Sequence, residues 1–411
     1  MLFGPVEPGS RHCGDEALDE LASLVDSAGG VVVGRLVQSV HRPTPATYLG
    51  SGKIEELGQL MRDTGADLAV FDLELSPAQG RNIEEAIAAR VVDRTELILD
   101  IFARRARSRQ AQLQVGLAQH IYMLPRLKRL WTHLDRQHAA IGARGPGETQ
   151  IESDRRMVRK RIQDYTRKLK ELTAQQERLI ENRGEFKVCL VGYTNAGKST
   201  LMKALTGTDA FIADQLFATL DTTTRRLKFK GSGPSALVSD TVGFVNHLPH
   251  QLVESFHATL SEVREADLLL HVADAAHPHL MEQVETVEQV LKDIGCHDLP
   301  TLLVANKMDR PGAEVGIHDL RTRHPELIEV SALTGRNVDL LLQAIAREMS
   351  EDWLRFDLLI PFREGELLAK IRTLGRVRDE RPDEQGMLVT IEVSRETAQK
   401  LRLERWVPPA R

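Results

Sequence analysis

The stretch "FKVCLVGYTNAGKSTLMKAL", residues 186–205, constrains this chain more than any other. Six mostly apolar residues run into Gly192-x4-Gly197-Lys198-Ser199, and a helical pattern opens at once. A strand that feeds a helix through a glycine loop belongs to a parallel sheet with helices packed on its faces. The loop also carries chemistry. Its glycines let backbone N–H groups turn toward one point at the positive end of a helix, which makes an anion site. Lys198 adds a charge for β- and γ-phosphate oxygens, and the Ser199 hydroxyl suits the Mg²⁺ that accompanies them. The similar-looking "YLGSGKIEEL" at 48–57 lacks the spaced first glycine and puts Ile54 where the hydroxyl should be. It reads as a turn before a helix.

The pattern of strand, loop and helix continues through "SALVSDTVGF", "DLLLHVADA", "PTLLVANKMD" and "LIEVSALTG", so residues 185–350 are expected to form a doubly wound, mostly parallel α/β sheet with its sites at the carboxyl ends of the strands. Three of those ends carry polar segments in a telling order. Asp240, Thr241, Val242 and Gly243 come first: Asp240 can hold Mg²⁺ through water, and the Gly243 N–H can face a γ-phosphate. Asn306, Lys307, Met308 and Asp309 follow. A fixed carboxylate such as Asp309 can accept both the N1–H and the exocyclic amine of guanine, whereas adenine would leave it facing an acceptor, at a cost of a few kcal/mol. Ser331, Ala332 and Leu333 supply a further contact to the guanine edge. Upstream, "FATLDTTTRR" is polar and rich in threonine, as a loop closing over Mg²⁺ would be. Thr219 is the chosen ligand, with Thr222, Thr223 and Thr224 competing.

A GTP-hydrolysing reading meets one difficulty. Phe244 stands where Ras-like enzymes place a water-orienting glutamine. Phosphoryl transfer depends almost entirely on positioning and charge neutralisation, so hydrolysis by the chain alone should be slow. Lys198, Thr219 and Gly243 would carry what catalysis there is. The missing part comes from a partner acting in trans or from K⁺ held by Asn195, whose alternative role is a hydrogen bond within its own loop. A P-loop kinase or ATPase is the rival that Asp309 opposes.

Outside this region the chain divides by composition. Residues 1–110 read as a small α/β unit, with "GGVVVGRLVQ" and "ADLAVFDLEL" as strands and "KIEELGQLMRDTG" and "SPAQGRNIEEAIAA" as helices. Residues 111–184 read as a basic helical hairpin, since long helical periodicity runs to Pro125 and resumes after the helix-breaking "GARGPGETQ" at 142–150. From Arg104 to Lys170 there are 17 Lys or Arg against 5 Asp or Glu, while the rest of the chain has 37 against 54. Such asymmetry is the footprint of polyanion binding, although a solvated helical face has the same composition. Residues 353–411 suggest a strand, helix, strand appendage. With 42% apolar and 27% charged residues the chain can bury cores and cover them. Cys13, Cys189 and Cys296 form no CxxC pair, so no disulfide framework or zinc site is indicated. No apolar run approaches the roughly 18 residues of a membrane span. A cytoplasmic monomer is expected, with peripheral association at a membrane left open.

These residues together resemble the HflX family of translational GTPases. The resemblance rests on "LGSGKIEEL", "LSPAQGRNIEE", "DRTELILDIFARRARSRQAQLQV", "RGPGETQIESDRR", "GYTNAGKST", "LFATLD", "DTVGFVNHLPHQLVESFHATL", "NKMD" and "SAL", from about residue 30 to about residue 345. It implies a GTPase that binds the large (50S) ribosomal subunit and splits stalled 70S ribosomes under stress, with the N-terminal region reaching toward the peptidyl transferase centre. A GTP-gated assembly or regulatory factor of the 50S subunit is the alternative. By the same resemblance GTP or GDP would be bound by Gly192, Tyr193, Thr194, Asn195, Ala196, Gly197, Lys198 and Ser199, by Phe217, Ala218, Thr219, Leu220 and Asp221, and by the segments 240–243, 306–309 and 331–333. Ser199 and Thr219 would hold Mg²⁺. Arg144, Gly145, Pro146, Gly147, Arg155 and Arg156 would face rRNA. The family usually continues "LFATLD" with proline, and here Thr222 follows, a change that could loosen the loop.

Overall fold

The computed structural model describes residues 1–6, 18–40, 42–127, 146–180, 186–207, 217, 222–229, 235–245, 262–351, 353–383 and 385–408. The chain gathers into two units. One comprises Met1–Ala174, Ala213–Asp221 and Val242–Thr259, and the other comprises Gln175–Ile212, Thr222–Thr241 and Leu260–Arg411.

In the first unit four parallel strands, β1 (Leu2–Val6), β2 (Arg35–Ser39), β3 (Leu68–Phe71) and β4 (Arg90–Asp93), stand in the order β2-β1-β3-β4. Helices α1 (Asp19–Ser27), α2 (Ser51–Thr64), α3 (Pro77–Ile87) and α4 (Arg94–Arg105) connect and follow them. Phe3, Phe71, Leu57 and Ile83 are fully buried in the core between sheet and helices. Ser76 starts α3 with a capping box: its hydroxyl accepts from the Gln79 N–H while the Gln79 side chain accepts from the Ser76 N–H. The expected strands and helices are present, joined by two strands that the pattern did not announce. Strand β1 carries Gly4 and Pro5, poor strand formers in isolation, and β4 is only four residues long.

The periodicity from Arg94 to Pro125 is not one helix. It breaks at Ala106–Arg107, where Ser108 accepts from the Ala111 N–H at 3.1 Å and starts α5 (Arg109–Met123) afresh. Helix α6 (Pro146–Ile180) is 35 residues long. Leu113, Leu117 and Leu169 join α5 and α6, with Ile121, Ile162, Tyr165 and Leu172 packed around them. Residues 142–145 of the glycine-rich tip lie outside the described residues, and its last five residues, 146–150, begin α6.

The second unit is built on six strands in the order β10-β9-β8-β5-β7-β6. These are β5 (Phe186–Gly192), β6 (Thr223–Lys228), β7 (Ser235–Asp240), β8 (Leu268–Asp274), β9 (Thr301–Asn306) and β10 (Ile328–Glu329). All pairs are parallel except β6 with β7. Strand β8 is buried at every position, as a central parallel strand covered on both faces must be. Helices α7 (Lys198–Thr206), α8 (Leu280–Asp293), α9 (Ala313–Arg323) and α10 (Val338–Glu351) pack on the sheet. Strand β6 takes up the last four residues, 223–226, of the threonine-rich stretch read as loop. It is a polar edge strand in which Leu227 is buried and Arg225 and Arg226 are exposed, which is how a strand hides in a polar sequence. The same unit ends in an antiparallel sheet of order β11-β13-β12, formed by β11 (Trp353–Ile360), β12 (Arg376–Asp383) and β13 (Gly386–Ser394). Strand β12, "RVRDERPD", is an edge strand with six charged residues and a proline, so the expected two-strand appendage has a third.

Candidate functional site

The site is a set of strand ends in the second unit. At the end of β5, Gly192 has a φ of 152°, and a Cβ there would stand 2.2 Å from the Val272 carbonyl oxygen of β8. Gly197 adopts a φ of 92°, and a Cβ there would meet Nδ2 of Asn306 at 2.3 Å. The loop is therefore pressed against its neighbouring strands at both glycines, which only glycine permits. Between them Asn195 takes a φ of 60°, a left-handed conformation that asparagine tolerates.

Lys198, 6% exposed, folds back on the loop that presents it. Its Nζ donates to the carbonyls of Gly192 at 3.1 Å and Tyr193 at 2.9 Å. Burial lowers its pKa to about 8, against the opposing pull of Asp240. A buried ammonium whose hydrogen-bond partners among the described residues are neutral carbonyls is poised to gain from an arriving anion. Beside it, the Ser199 hydroxyl donates to Asp240 Oδ2 at 2.7 Å. Asp240 is itself 2% exposed, and Thr241 ties its segment to β5 through a bond to the Leu190 carbonyl at 2.7 Å. Tyr193 and Thr194 are buried, and Thr194 Oγ1 has no hydrogen-bond partner among the described residues. Among the described residues no group of three or more His, Cys, Asp or Glu could cage a metal. Hydroxyl and carboxylate side by side suit Mg²⁺ instead, which keeps most of its coordination for phosphates and water.

Asn306, at the end of β9, joins three loops. Its amide donates to the Ala196 carbonyl at 2.9 Å and accepts from the Ala332 N–H at 3.0 Å. Lys307 lies across the outside of the P-loop, with Nζ at 2.6 Å from both the Asn195 carbonyl and Asp274 Oδ2. The exposed Asp309 accepts from the fully buried Ser331 hydroxyl at 2.6 Å, and Ser331 Oγ in turn accepts from the Thr334 N–H at 3.1 Å. Met308 is buried, whereas Leu333 is 78% exposed. The three segments are thus cross-braced in advance: loop 192–199 to Asn306 and Lys307, and 306–309 to 331–333. Asp274 was not anticipated. It stands opposite Asn306 in the β8–β9 register and sets the Lys307 side chain, yet the acid alone in "HVADAAHP" has no local signature.

Other expected contacts fall in the first unit or outside the described residues. Phe217 belongs to the first unit, where it is 2% exposed and stands edge-on to Phe102 with ring centroids 4.6 Å apart. Val242, Gly243 and Phe244 also belong to the first unit, and Phe244 is 4% exposed. Ala218, Thr219, Leu220 and Asp221 lie outside the described residues, as do Arg144 and Gly145. Pro146 and Gly147 open α6, on which Arg155 is partly buried and Arg156 exposed. Among the described residues no helix is long and apolar enough to cross a membrane.

Fold and strand-end loops together define a P-loop GTPase, an enzyme that converts GTP to GDP and phosphate. Family models agree over most of the chain: "GTP-binding GTPase N-terminal" matches residues 15–103, "GTP-binding GTPase Middle Region" residues 105–183, and "50S ribosome-binding GTPase" residues 187–307. GTPase HflX of Flavobacterium psychrophilum is 52% identical over 295 residues, covering 72% of this chain and 71% of that protein. GTPase HflX of Escherichia coli is 45% identical over 375 residues, covering 90% and 88%. That of Caldanaerobacter subterraneus is 43% identical over 392 residues, covering 94% and 90%. The chain belongs to the HflX family of GTPases.

Proposed function

We propose that this GTPase binds the large 50S ribosomal subunit and uses its GTP cycle to split or rescue 70S ribosomes under stress, with hydrolysis stimulated by the ribosome. The observation that carries the reading is the surface of α6, where Arg156, Arg159, Lys160, Arg161, Arg167, Lys168 and Lys170 are all exposed on one long helix. A rigid basic rod gains affinity for rRNA by releasing counterions. The name of the matching family model, a 50S ribosome-binding GTPase, supports the same partner. Functionally the chain divides into 1–110, the hairpin 111–184 with tip 142–150, the G domain 185–350 and the C-terminal domain 353–411. Arg144 to Gly147, Arg155 and Arg156 face rRNA. The protein works as a cytoplasmic monomer.

In the G domain, GTP is gripped by residues 192–199, 217–221, 240–243, 306–309 and 331–333. Ser199 and Thr219 would hold Mg²⁺, which would neutralise charge on the phosphates. The Lys198 ammonium moves from its two carbonyl partners to phosphate oxygens, and the Gly243 N–H contacts the γ-phosphate. Phe244 cannot polarise water, so water positioning comes from backbone, from K⁺ beside Asn195, or from the ribosome in trans. A sucrose gradient of 70S ribosomes incubated with the protein and GTP, or with a non-hydrolysable analogue, tests the reading. Separation into 50S and 30S supports splitting, and equal splitting by the analogue assigns hydrolysis to release. Intact 70S with binding only to immature 50S particles would make the chain an assembly factor instead.

A further inference from the structure

The end of β8 is tied to the P-loop through one side chain of the 306–309 segment. Asp274 closes β8 opposite Asn306 and is 7% exposed. Its two carboxylate oxygens have separate tasks. Oδ1 accepts from the Ala276 N–H at 3.1 Å and shapes the turn, while Oδ2 takes the Lys307 ammonium at 2.6 Å. Lys307 itself has a φ of 64°, in the left-handed region, where a residue with a long side chain persists only if its surroundings over-determine it. Here they do. The Asn306 carbonyl just before it accepts from the Ala275 N–H at 2.9 Å, its own carbonyl accepts from the Arg310 N–H at 3.0 Å, and its Nζ also reaches the Asn195 carbonyl at 2.6 Å. The run from Asp274 through Lys307 to Asn195 therefore doubles the 2.9 Å bond from Asn306 to Ala196, so that the P-loop is held at two successive residues. The Asp274 and Lys307 side chains keep only 10% and 14% of their surface exposed, and water screens such a pair little. All these residues belong to one unit.

We propose that Asp274 is a positioning residue that sets how long a guanine nucleotide stays bound, acting through Lys307. A nucleotide with its phosphates in loop 192–199 and its base at 306–309 spans both loops, and it leaves when they part. A brace between the loops slows that step for GTP and GDP alike. It favours neither the nucleotide nor the transition state, so it belongs to binding and not to the chemical step. The proposal rests on that placement of phosphates and base, and it holds whatever partner the protein has.

Asp274→Asn is the discriminating variant. Its amide oxygen can still accept from Ala276, which turns the NH₂ toward the Lys307 ammonium, donor against donor. The test is stopped-flow release of fluorescent GDP and GTP analogues from the full-length protein, with steady-state turnover measured alongside. Release of both nucleotides should quicken by about tenfold, because losing one partner of an enclosed charge pair acts on the off-rate. KM for GTP should rise by a similar factor while kcat stays within about twofold, the pattern of lost uniform binding. Preference for guanine over adenine should persist, since Asp309 is held separately by Ser331. Lys307→Met should cost less in the Asp274→Asn background than alone, because the carboxylate it would leave unpaired is already gone. Wild-type release rates, a kcat that falls as far as KM rises, or additive losses would overturn the brace. If Asp274→Asn fails to fold, Asp274→Ser, whose hydroxyl can still accept from Ala276, decides by the same criteria. Asp309→Asn in the same assays separates the two layers: an unchanged guanine preference refutes the placement of the base, and the coupling of Asp274 with Lys307 then judges the brace alone.

Discussion

The chain contains two parallel sheets with charged residues at their strand ends, and it uses those charges in opposite ways. In the first unit Asp93, at the end of β4, is spent on the protein itself. Its carboxylate accepts from the Glu96 N–H at 2.8 Å, the Leu75 N–H at 3.2 Å and Arg126 at 3.2 Å. The Arg126 guanidinium also bonds the Leu75 carbonyl at 2.7 Å and lies 3.5 Å over the Tyr122 ring. Next to it the buried Arg94 is paired with Asp72 and Glu20. In the second unit Lys198 has, among the described residues, only loop carbonyls as hydrogen-bond partners for its ammonium, and Asp240 shares a hydroxyl. Neutralised strand ends hold helices in place. A buried ammonium whose partners among the described residues are neutral carbonyls leaves interaction energy to be realised by a phosphate.

That contrast can be broken from either side. Lys198→Ala should lower GTP turnover by about 10³-fold or more while changing stability little, since removing a phosphate-facing cation deletes transition-state stabilisation. Wild-type turnover would end the account of the second unit. Asp93→Ala should do the reverse: it leaves Arg126 buried without its carboxylate and uncaps α4, costing about 3–5 kcal/mol of stability, yet GTP affinity should stay within about twofold. Chemical denaturation and a nucleotide titration read the two effects separately, and a large loss of GTP affinity would show that the two strand ends are not independent in purpose.

Asp309→Asn should lose preference for guanine over adenine nucleotides by about 10²-fold, because the Ser331-braced carboxylate is the acceptor that guanine requires. Unchanged discrimination in competition binding would move base recognition elsewhere. Phe244→Ala should leave GTP affinity within about threefold, since a buried phenyl ring offers the nucleotide no polar contact. The smallest effect concerns protons. Burial depresses the Lys198 pKa to about 8 in the folded, nucleotide-free protein, below its ordinary 10.5. The destabilisation from burying this charge is full below about pH 8 and is relieved as pH rises from there toward 10.5, where the unfolded chain also loses the proton. At pH 9 the free lysine is therefore mostly neutral and becomes charged again on meeting phosphate. Calorimetry in two buffers should show proton uptake on GTP binding at pH 9 and almost none at pH 6.5, and a buffer-independent heat at pH 9 would contradict the assignment.

The same contrast explains what could be read in advance. The phosphate and guanine segments are local: each lies within a few consecutive residues at a strand end, so spacing alone exposes Gly192, Lys198, Ser199, Asp240, Asn306 and Asp309. Asp274 carries no such spacing. Its role comes from a pairing across the sheet, opposite Asn306, which the linear sequence does not display. The strands β6 and β12 escaped for a related reason, because edge strands are permitted polar and charged residues that mimic loops. In the first unit the α4–α5 break was hidden by an unbroken apolar period, and only the Ser108 cap marks it.

The central claim is that a site with braced phosphate and guanine loops but an apolar Phe244 needs outside help to place its water. Steady-state GTP turnover at saturating GTP and Mg²⁺, measured with and without purified 50S subunits, tests it most directly. The account predicts slow turnover alone and stimulation of about 10²-fold or more with 50S subunits, the scale on which in-trans completion of a GTPase site acts. Equal rates in the two conditions would contradict it.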